Sequence, residues 1–276
     1  MPWKRYFVAA VGCLLMFSET SSAQQGTDQC MCTPASTLDV VKKRGVLIAG
    51  VKNDLPPLGY IDRDGKWVGV EVEMAQYLAS KLGVTLKMEL VSSLTRIPML
   101  VNGNVDLLVS ISPTRERAKT IDFTRAYFDD GGSAVLVYRD SGIRGAEDLA
   151  APRKSATAQG SANATELLAM QPKAQLVYFQ AYPEAFQALR AHQVDAMVAG
   201  YGMLERLAKD NPSMTVLPPL TPDPSNMAVW KNDSNWRLFL EQSIMDAWSD
   251  GTIPKLQAKY GGAPITVERW PDYFRK

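Results

Sequence analysis

The chain has 276 residues, with 30 Lys and Arg against 29 Asp and Glu, one His and three Cys, and is 46% hydrophobic and 21% charged. That composition is globular, and a net charge of +1 without a Lys/Arg-rich run leaves no electrostatic footprint for a nucleic-acid partner. One His and three Cys offer little for His-based catalysis or a multi-ligand zinc site, so neither metal nor cofactor is expected.

The chain opens on an address. Lys4 and Arg5 precede an apolar stretch at 6–17 and a small-residue segment ending in Ser21-Ser22-Ala23, which predicts a signal peptide, 1–23, cleaved after Ala23. The apolar stretch is too short to span a bilayer, although an uncleaved anchor is the alternative. A lipoprotein route through Cys13 is disfavoured because that cysteine lies inside the apolar run. Removing Lys4, Arg5 and Glu19 leaves 28 basic and 28 acidic residues, a mature chain of zero net charge, expected as a monomer in the periplasm. Cys30 and Cys32 fall in an expected flexible tail, 24–35, too close in sequence for an easy bridge of normal geometry; a metal role is a weak alternative.

Strands and helices then alternate. Val46–Val51 reads as a short buried strand, and Val70, Met74, Tyr77, Leu78 and Leu82 are apolar at helical spacing, with Glu71, Glu73, Gln76 and Ser80 facing out. Gly83 stops that helix; a strand at 84–91, a helix at 94–102 and a strand at 105–110 follow. A second copy of this βαβ rhythm starts after Tyr138. Both copies carry a helix end, a polar turn, Val-Asp and an apolar strand, Asp106 and Asp195 lying 89 residues apart. The rhythm implies mostly parallel sheets with helices on their faces, in two lobes built alike. His192 falls in the second polar turn and reads as solvated.

Several ordered motifs carry a family resemblance. They are Arg44-Gly45-Val46-Leu47, Pro56-Pro57-Leu58-Gly59-Tyr60, Gly65 to Glu73 in the pattern G-x-x-x-G-ϕ-E-ϕ-E, and Asn102-Gly103-Asn104-Val105-Asp106. Ser112-Pro113-Thr114-Arg115-Glu116-Arg117, Ile121-Asp122-Phe123-Thr124, Asp250-Gly251-Thr252 and Lys259-Tyr260-Gly261 complete the set. Over 38–261 the chain resembles the extracellular solute-binding proteins of polar amino-acid ABC transporters, nearest in pattern to the acidic-amino-acid binders. The resemblance implies an α/β fold: a two-lobed periplasmic-binding-protein clamshell with mixed, mostly parallel sheets and a two-strand hinge. Lobe 1 would be 36–133 and 230–276, lobe 2 would be 139–223, and the hinge strands 134–138 and 226–229. The segment after Gly262, with Trp270 and Tyr273, would pack on lobe 1.

The same resemblance assigns a site. Arg117, in Thr114-x-x-Arg117, would fork onto a ligand carboxylate, since a guanidinium supplies two parallel charge-assisted bonds. Ser110 and Ser112 would add donors, and Gly160 and Ser161 would present the N-terminus of a helix at Ala162–Met170 to the same anion. Surface pairing for Arg117 and simple helix capping for Ser161 are the structural alternatives. Lys52 and Arg96 would meet a second carboxylate, while Tyr60 and Tyr201 could supply aromatic walls where Leu55 and Leu58 offer only leucines. Family members that bind α-amino acids carry an Asp at the position of Gly200. Without it, either another acid (Asp54 or Asp223) holds the ammonium, or the ligand lacks one, and the second is favoured. The expected ligand is thus a small anion, such as a dicarboxylate, a 2-oxo acid or an atypical amino acid, passed to an ABC permease of the inner membrane. No enzyme activity is expected. A dehydratase-like cleft enzyme, with Glu71, Glu73 or Asp54 as candidate acids, and a sensory module docking to a membrane receptor are the alternatives.

Overall fold

Helix- and strand-period segments alternate from Thr37 onward, and the computed structural model describes residues 35–262. The predicted signal peptide, Cys30, Cys32 and the segment after Gly262 lie outside the described residues. The first run comprises α1 (Thr37–Arg44), β1 (Val46–Val51), β2 (Asp54–Leu55), β3 (Gly59–Ile61), β4 (Trp67–Val68), α2 (Val70–Leu82) and β5 (Thr85–Leu90). It continues through α3 (Arg96–Val101), β6 (Leu107–Ile111), α4 (Arg115–Ala118) and β7 (Ile121–Phe128). The second comprises β8 (Ser133–Tyr138), β9 (Lys154–Ala158), α5 (Ala162–Met170), β10 (Gln175–Phe179), α6 (Tyr182–Arg190), β11 (Ala196–Gly200), α7 (Tyr201–Asp210) and β12 (Met214–Val216). Finally β13 (Ser225–Trp230), α8 (Ser234–Ser249) and α9 (Thr252–Tyr260) rejoin the first part.

Two five-stranded sheets result, ordered β5-β1-β6-β13-β7 and β10-β9-β11-β8-β12. In each, the first three strands pair in parallel and the fourth pairs antiparallel to both its neighbours. That reversed strand is the one arriving from the other lobe: β8 enters the second sheet after β7, and β13 enters the first after β12. The sheets are therefore mostly parallel, with apolar clusters on both faces. In the first lobe Leu47, Val109 and Trp236 pack on one side and Leu100, Leu108 and Ile121 on the other. In the second, Leu136 and Met197 oppose Val135 and Val198.

The Val-Asp repeat has the same structural cause in both lobes. Asp106 Oδ2 accepts the Ile48 backbone N–H at 2.7 Å, and Asp195 Oδ2 accepts the Lys154 N–H at 2.7 Å. The backbone amides of the two aspartates return the favour, donating to Ile48 O and Lys154 O at 2.8 Å. Each aspartate thus fixes the start of its strand against the neighbouring parallel strand, and Asp106 is also paired with Arg44. His192 occupies the second turn in a left-handed conformation (φ 53°), exposed and stacked on Tyr138 at 4.6 Å.

The two connections between the lobes touch. Ser133 N–H donates to Thr221 O at 2.9 Å, and Leu220 N–H donates to Ser133 O at 2.7 Å. A Cβ on Gly132 (φ 91°) would lie 2.2 Å from Thr221 O, so this close approach requires glycine.

Candidate functional site

One cavity of about 30 Å³ lies between the sheets, at the carboxyl ends of β1, β6 and β11 and the N-termini of α5 and α6. Ligand sites of open α/β sheets sit in such crevices. Lys52, immediately after β1, is 1% exposed; its Nζ donates to Ser93 Oγ at 2.9 Å and pairs with Asp54 at 3.3 Å. The same ammonium lies 4.6 Å from the centroid of the Tyr182 ring, which belongs to the other lobe. Burial pushes its pKa down, Asp54 pulling the other way.

Glu71 departs from the sequence expectation. Rather than facing out, it is 1% exposed, and its Oε2 accepts the Lys52 backbone N–H at 2.8 Å. The chain from Leu55 to Gly69 folds tightly over this bond. A Cβ on Gly59 would stand 2.5 Å from Lys52 O and 2.8 Å from Glu71 Oε2. Burial raises the Glu71 carboxyl to about 7. Glu73, half-buried, instead accepts from Tyr260 Oη at 2.6 Å on the far side of the lobe.

Arg96, 5% exposed, opens α3 and donates to Ser110 O at 3.3 Å; burial holds its pKa below the usual guanidinium value. Ser110 and Ser112 line the cavity at the end of β6, and Ser110 Oγ donates to Ser225 Oγ at 3.0 Å. Arg117 spans the lobes, with one terminal nitrogen donating to Ser112 O at 2.7 Å and the other to Gly160 O at 2.9 Å. Burial, with Arg96 adding repulsion, lowers it to about 9. From the second lobe come Ser161, which precedes α5, Asn163 in its first turn, and Tyr182, whose hydroxyl donates to Asn163 Oδ1 at 3.0 Å.

Of the residues singled out from sequence, Lys52, Arg96, Ser110, Ser112, Ser161 and Gly200 line the cavity. Arg117 and Gly160 meet at its rim. Three others stand outside the lining: Thr114 caps α4 by accepting the Arg117 N–H at 3.2 Å, Tyr60 lies under the Arg206 guanidinium at 5.0 Å, and Tyr201 Oη donates to Glu205 at 3.3 Å. Leu55 and Leu58 form the apolar wall.

The cations expected from sequence, Lys52, Arg96 and Arg117, do not stand alone in the cleft. Asp54 and Asp223 lie beside the cations, and Asp130, which sequence reasoning missed, lines the cavity at 6% exposure. Burial and the Asp223 and Asp129 charges raise Asp130 to about 8, and burial likewise raises Asp223. The signal for Asp130 was the Asp129-Asp130-Gly131-Gly132 run at the end of a strand, where paired glycines bring backbones close. Asn163 and Tyr182 carried no local signal beyond their place at helix starts.

Two similar sheets joined by a double crossing, with a polar cavity between them, define a two-lobed solute-binding protein. A family model for bacterial extracellular solute-binding proteins, family 3, matches residues 47–263, and the chain belongs to that family. It is 38% identical over 230 residues to a glutamine-binding protein of Geobacillus stearothermophilus, covering 78% of this chain and 87% of that one. It is 31% identical over 230 residues to an ABC transporter glutamine-binding protein of Bacillus subtilis, covering 81% and 84%. Among solved structures, an ancestral amino-acid-binding protein described as a precursor of cyclohexadienyl dehydratase superposes with a TM-score of 0.75 at 30% identity, over 82% of this chain and 99% of that one.

Proposed function

We propose that the chain is the capturing component of an ABC-type importer, closing its lobes on a small carboxylate-bearing solute outside the inner membrane and presenting it to a permease. The observation that carries this reading is convergence. Lys52, Arg96 and the N-terminus of α5 face one cavity between two lobes, and Arg117 bridges them at its rim. Cations and helix N-terminal amides together favour a carboxylate. At about 30 Å³ the cavity has room for roughly two waters, so admitting a solute requires the lobes to part. The expected hinge strands, 134–138 and 226–229, lie within β8 and β13 of the two sheets, so the touching crossings that lead into them, 129–132 and 217–224, are where that motion would be absorbed. The glutamine-binding relatives support an amino-acid-like solute.

Titration calorimetry of the mature protein against the twenty L-amino acids, succinate, glutarate and 2-oxoglutarate tests the reading. One-to-one binding of at least one compound, recovered unchanged after unfolding, is expected. Turnover of the bound compound would favour a cleft enzyme, and the absence of binding across the panel would overturn the proposal.

A further inference from the structure

Two carboxylates that line the cleft, those of Asp130 and Asp223, each have one buried oxygen without a hydrogen-bond partner among the described residues. Asp130 Oδ2 has no hydrogen-bond partner among the described residues, although the side chain is more than nine-tenths buried and lines the cavity. The charges that weigh most on it, Asp223 and Asp129, are both acidic and oppose its ionised form, which the backbone N–H of Gly202 offsets only in part. The backbone leaves room for it on the opposite wall. A Cβ on Gly200 would lie 2.9 Å from Asp130 Oδ2, and one on Gly202 would lie 3.2 Å away. Any side chain at Gly200 would therefore occupy the carboxylate's own space. Gly131, between Asp130 and Gly132, sits against the Tyr201 ring, where a Cβ would be 2.8 Å from the ring edge. The carboxylate thus follows from a left-handed Gly131 (φ 105°) and lies in the space that Gly200 and Gly202 leave open.

Resting on the carboxylate-binding reading above, we propose that Asp130 is the specificity-determining counter-charge for an amino group on the solute, taking the space that Gly200 leaves open. The cleft then accepts a carboxylate and an adjacent ammonium together, and discriminates against acids that lack the amine. An arriving ammonium supplies the charge partner that burial otherwise denies Asp130. Burial raises the carboxyl to about 8, so it is mostly protonated at pH 7, and pairing with an ammonium there should release that proton to solution. Asp223 and Asp129 share that environment and oppose the ionisation, and the Gly202 backbone N–H favours it.

The test compares L-glutamine and L-glutamate, and any other L-amino acid that binds, with the matching acids lacking the amino group (glutaramate and glutarate for the first two). Asp130→Asn should weaken amino-acid binding about a hundredfold or more, while the deamino acids bind it no worse than they bind the wild type. Asp130→Ala combined with Gly200→Asp, which returns a carboxylate from the opposite wall, should recover at least about tenfold of that loss. Calorimetry of the wild type in two buffers of different ionisation enthalpy, which needs no variant to fold, should show about one proton released with an amino acid and none with its deamino acid. Unchanged amino-acid affinity in Asp130→Asn, no proton release, or a wild-type preference for the deamino acids would overturn the assignment. Failure of every compound to bind the wild type would instead overturn the reading on which it rests.

Discussion

Replacing Arg117 with Ala tests the carboxylate anchor most directly. The guanidinium donates to Ser112 O at 2.7 Å and Gly160 O at 2.9 Å. The side chain is only half-buried, so both carbonyls can turn to water once it is removed. Deletion also relieves the burial and the Arg96 repulsion that push Arg117 down to about 9. Loss and relief offset each other, and the unliganded variant should stay within about 1 kcal/mol of the wild type. Binding is different. Two charge-assisted bonds to a carboxylate contribute about 3–6 kcal/mol, or roughly 100- to 20,000-fold in Kd. At a solute concentration of 100 Kd the wild type gains about 2.7 kcal/mol, roughly 5–11 °C in Tm for a domain of this size. The variant at the same concentration gains at most about 0.4 kcal/mol, under about 2 °C. Thermal melts with and without whichever panel compound binds the wild type measure both effects. A variant that keeps the full shift would place the carboxylate away from Arg117, and one whose unliganded Tm collapses would make the residue a structural clamp.

Burial raises Glu71 to about 7 and Asp130 and Glu166 to about 8, so the folded state keeps protons that the unfolded chain has released. Stability of the unliganded protein should therefore decline as pH rises from 5 to 8, and less steeply in Asp130→Asn, which chemical denaturation at fixed pH would show; a flat or rising profile would contradict the raised values. Gly59→Ala should destabilise by at least about 2 kcal/mol and weaken solute binding, because its methyl would collide with the Lys52 carbonyl and Glu71. Urea titrations of Asp106→Ala and Asp195→Ala should give losses of about 2–3 and about 1 kcal/mol, the larger for Asp106, which is buried and also paired with Arg44. Equal losses would mean that burial does not distinguish the two strand clasps.

Much of the architecture was legible because it repeats at short range. The Val-Asp turns, the helix at Ala162–Met170 and the strand Val46–Val51 follow from local periodicity and from glycines such as Gly45 and Gly83. Lys52, Arg96, Ser110 and Ser112 were legible because each sits at the carboxyl end of a strand or the start of a helix, where an open sheet gathers its ligands. Thr114, Tyr60 and Tyr201 stand outside the cavity lining, because residue type and approximate place do not fix direction. Thr114 turned inward on its own helix, and the two tyrosines found partners in Arg206 and Glu205. Glu71 misled for a related reason. It stands one position from the apolar stripe of α2, in its first turn, where the folded-over segment 55–69 buries it against Lys52.

Gly200 is the instructive position. In sequence it reads as a missing acid, and a missing acid leaves a buried ammonium unpaired at a cost of several kcal/mol. Space, however, is shared among segments far apart in the chain. The glycine that removes a carboxylate from the end of β11 is also what admits Asp130, whose Oδ2 lies 2.9 Å from the absent Cβ. Substituting Gly200 with Asp alone would thus bring two acids into one small volume beside Asp223, and the pair could not both ionise. That single variant should bind amino acids worse than the wild type despite carrying the additional carboxylate, and the second change at position 130 should reverse the effect. Binding improved by Gly200→Asp alone would mean that Asp130 does not fill the space, and that the site does lack its acid.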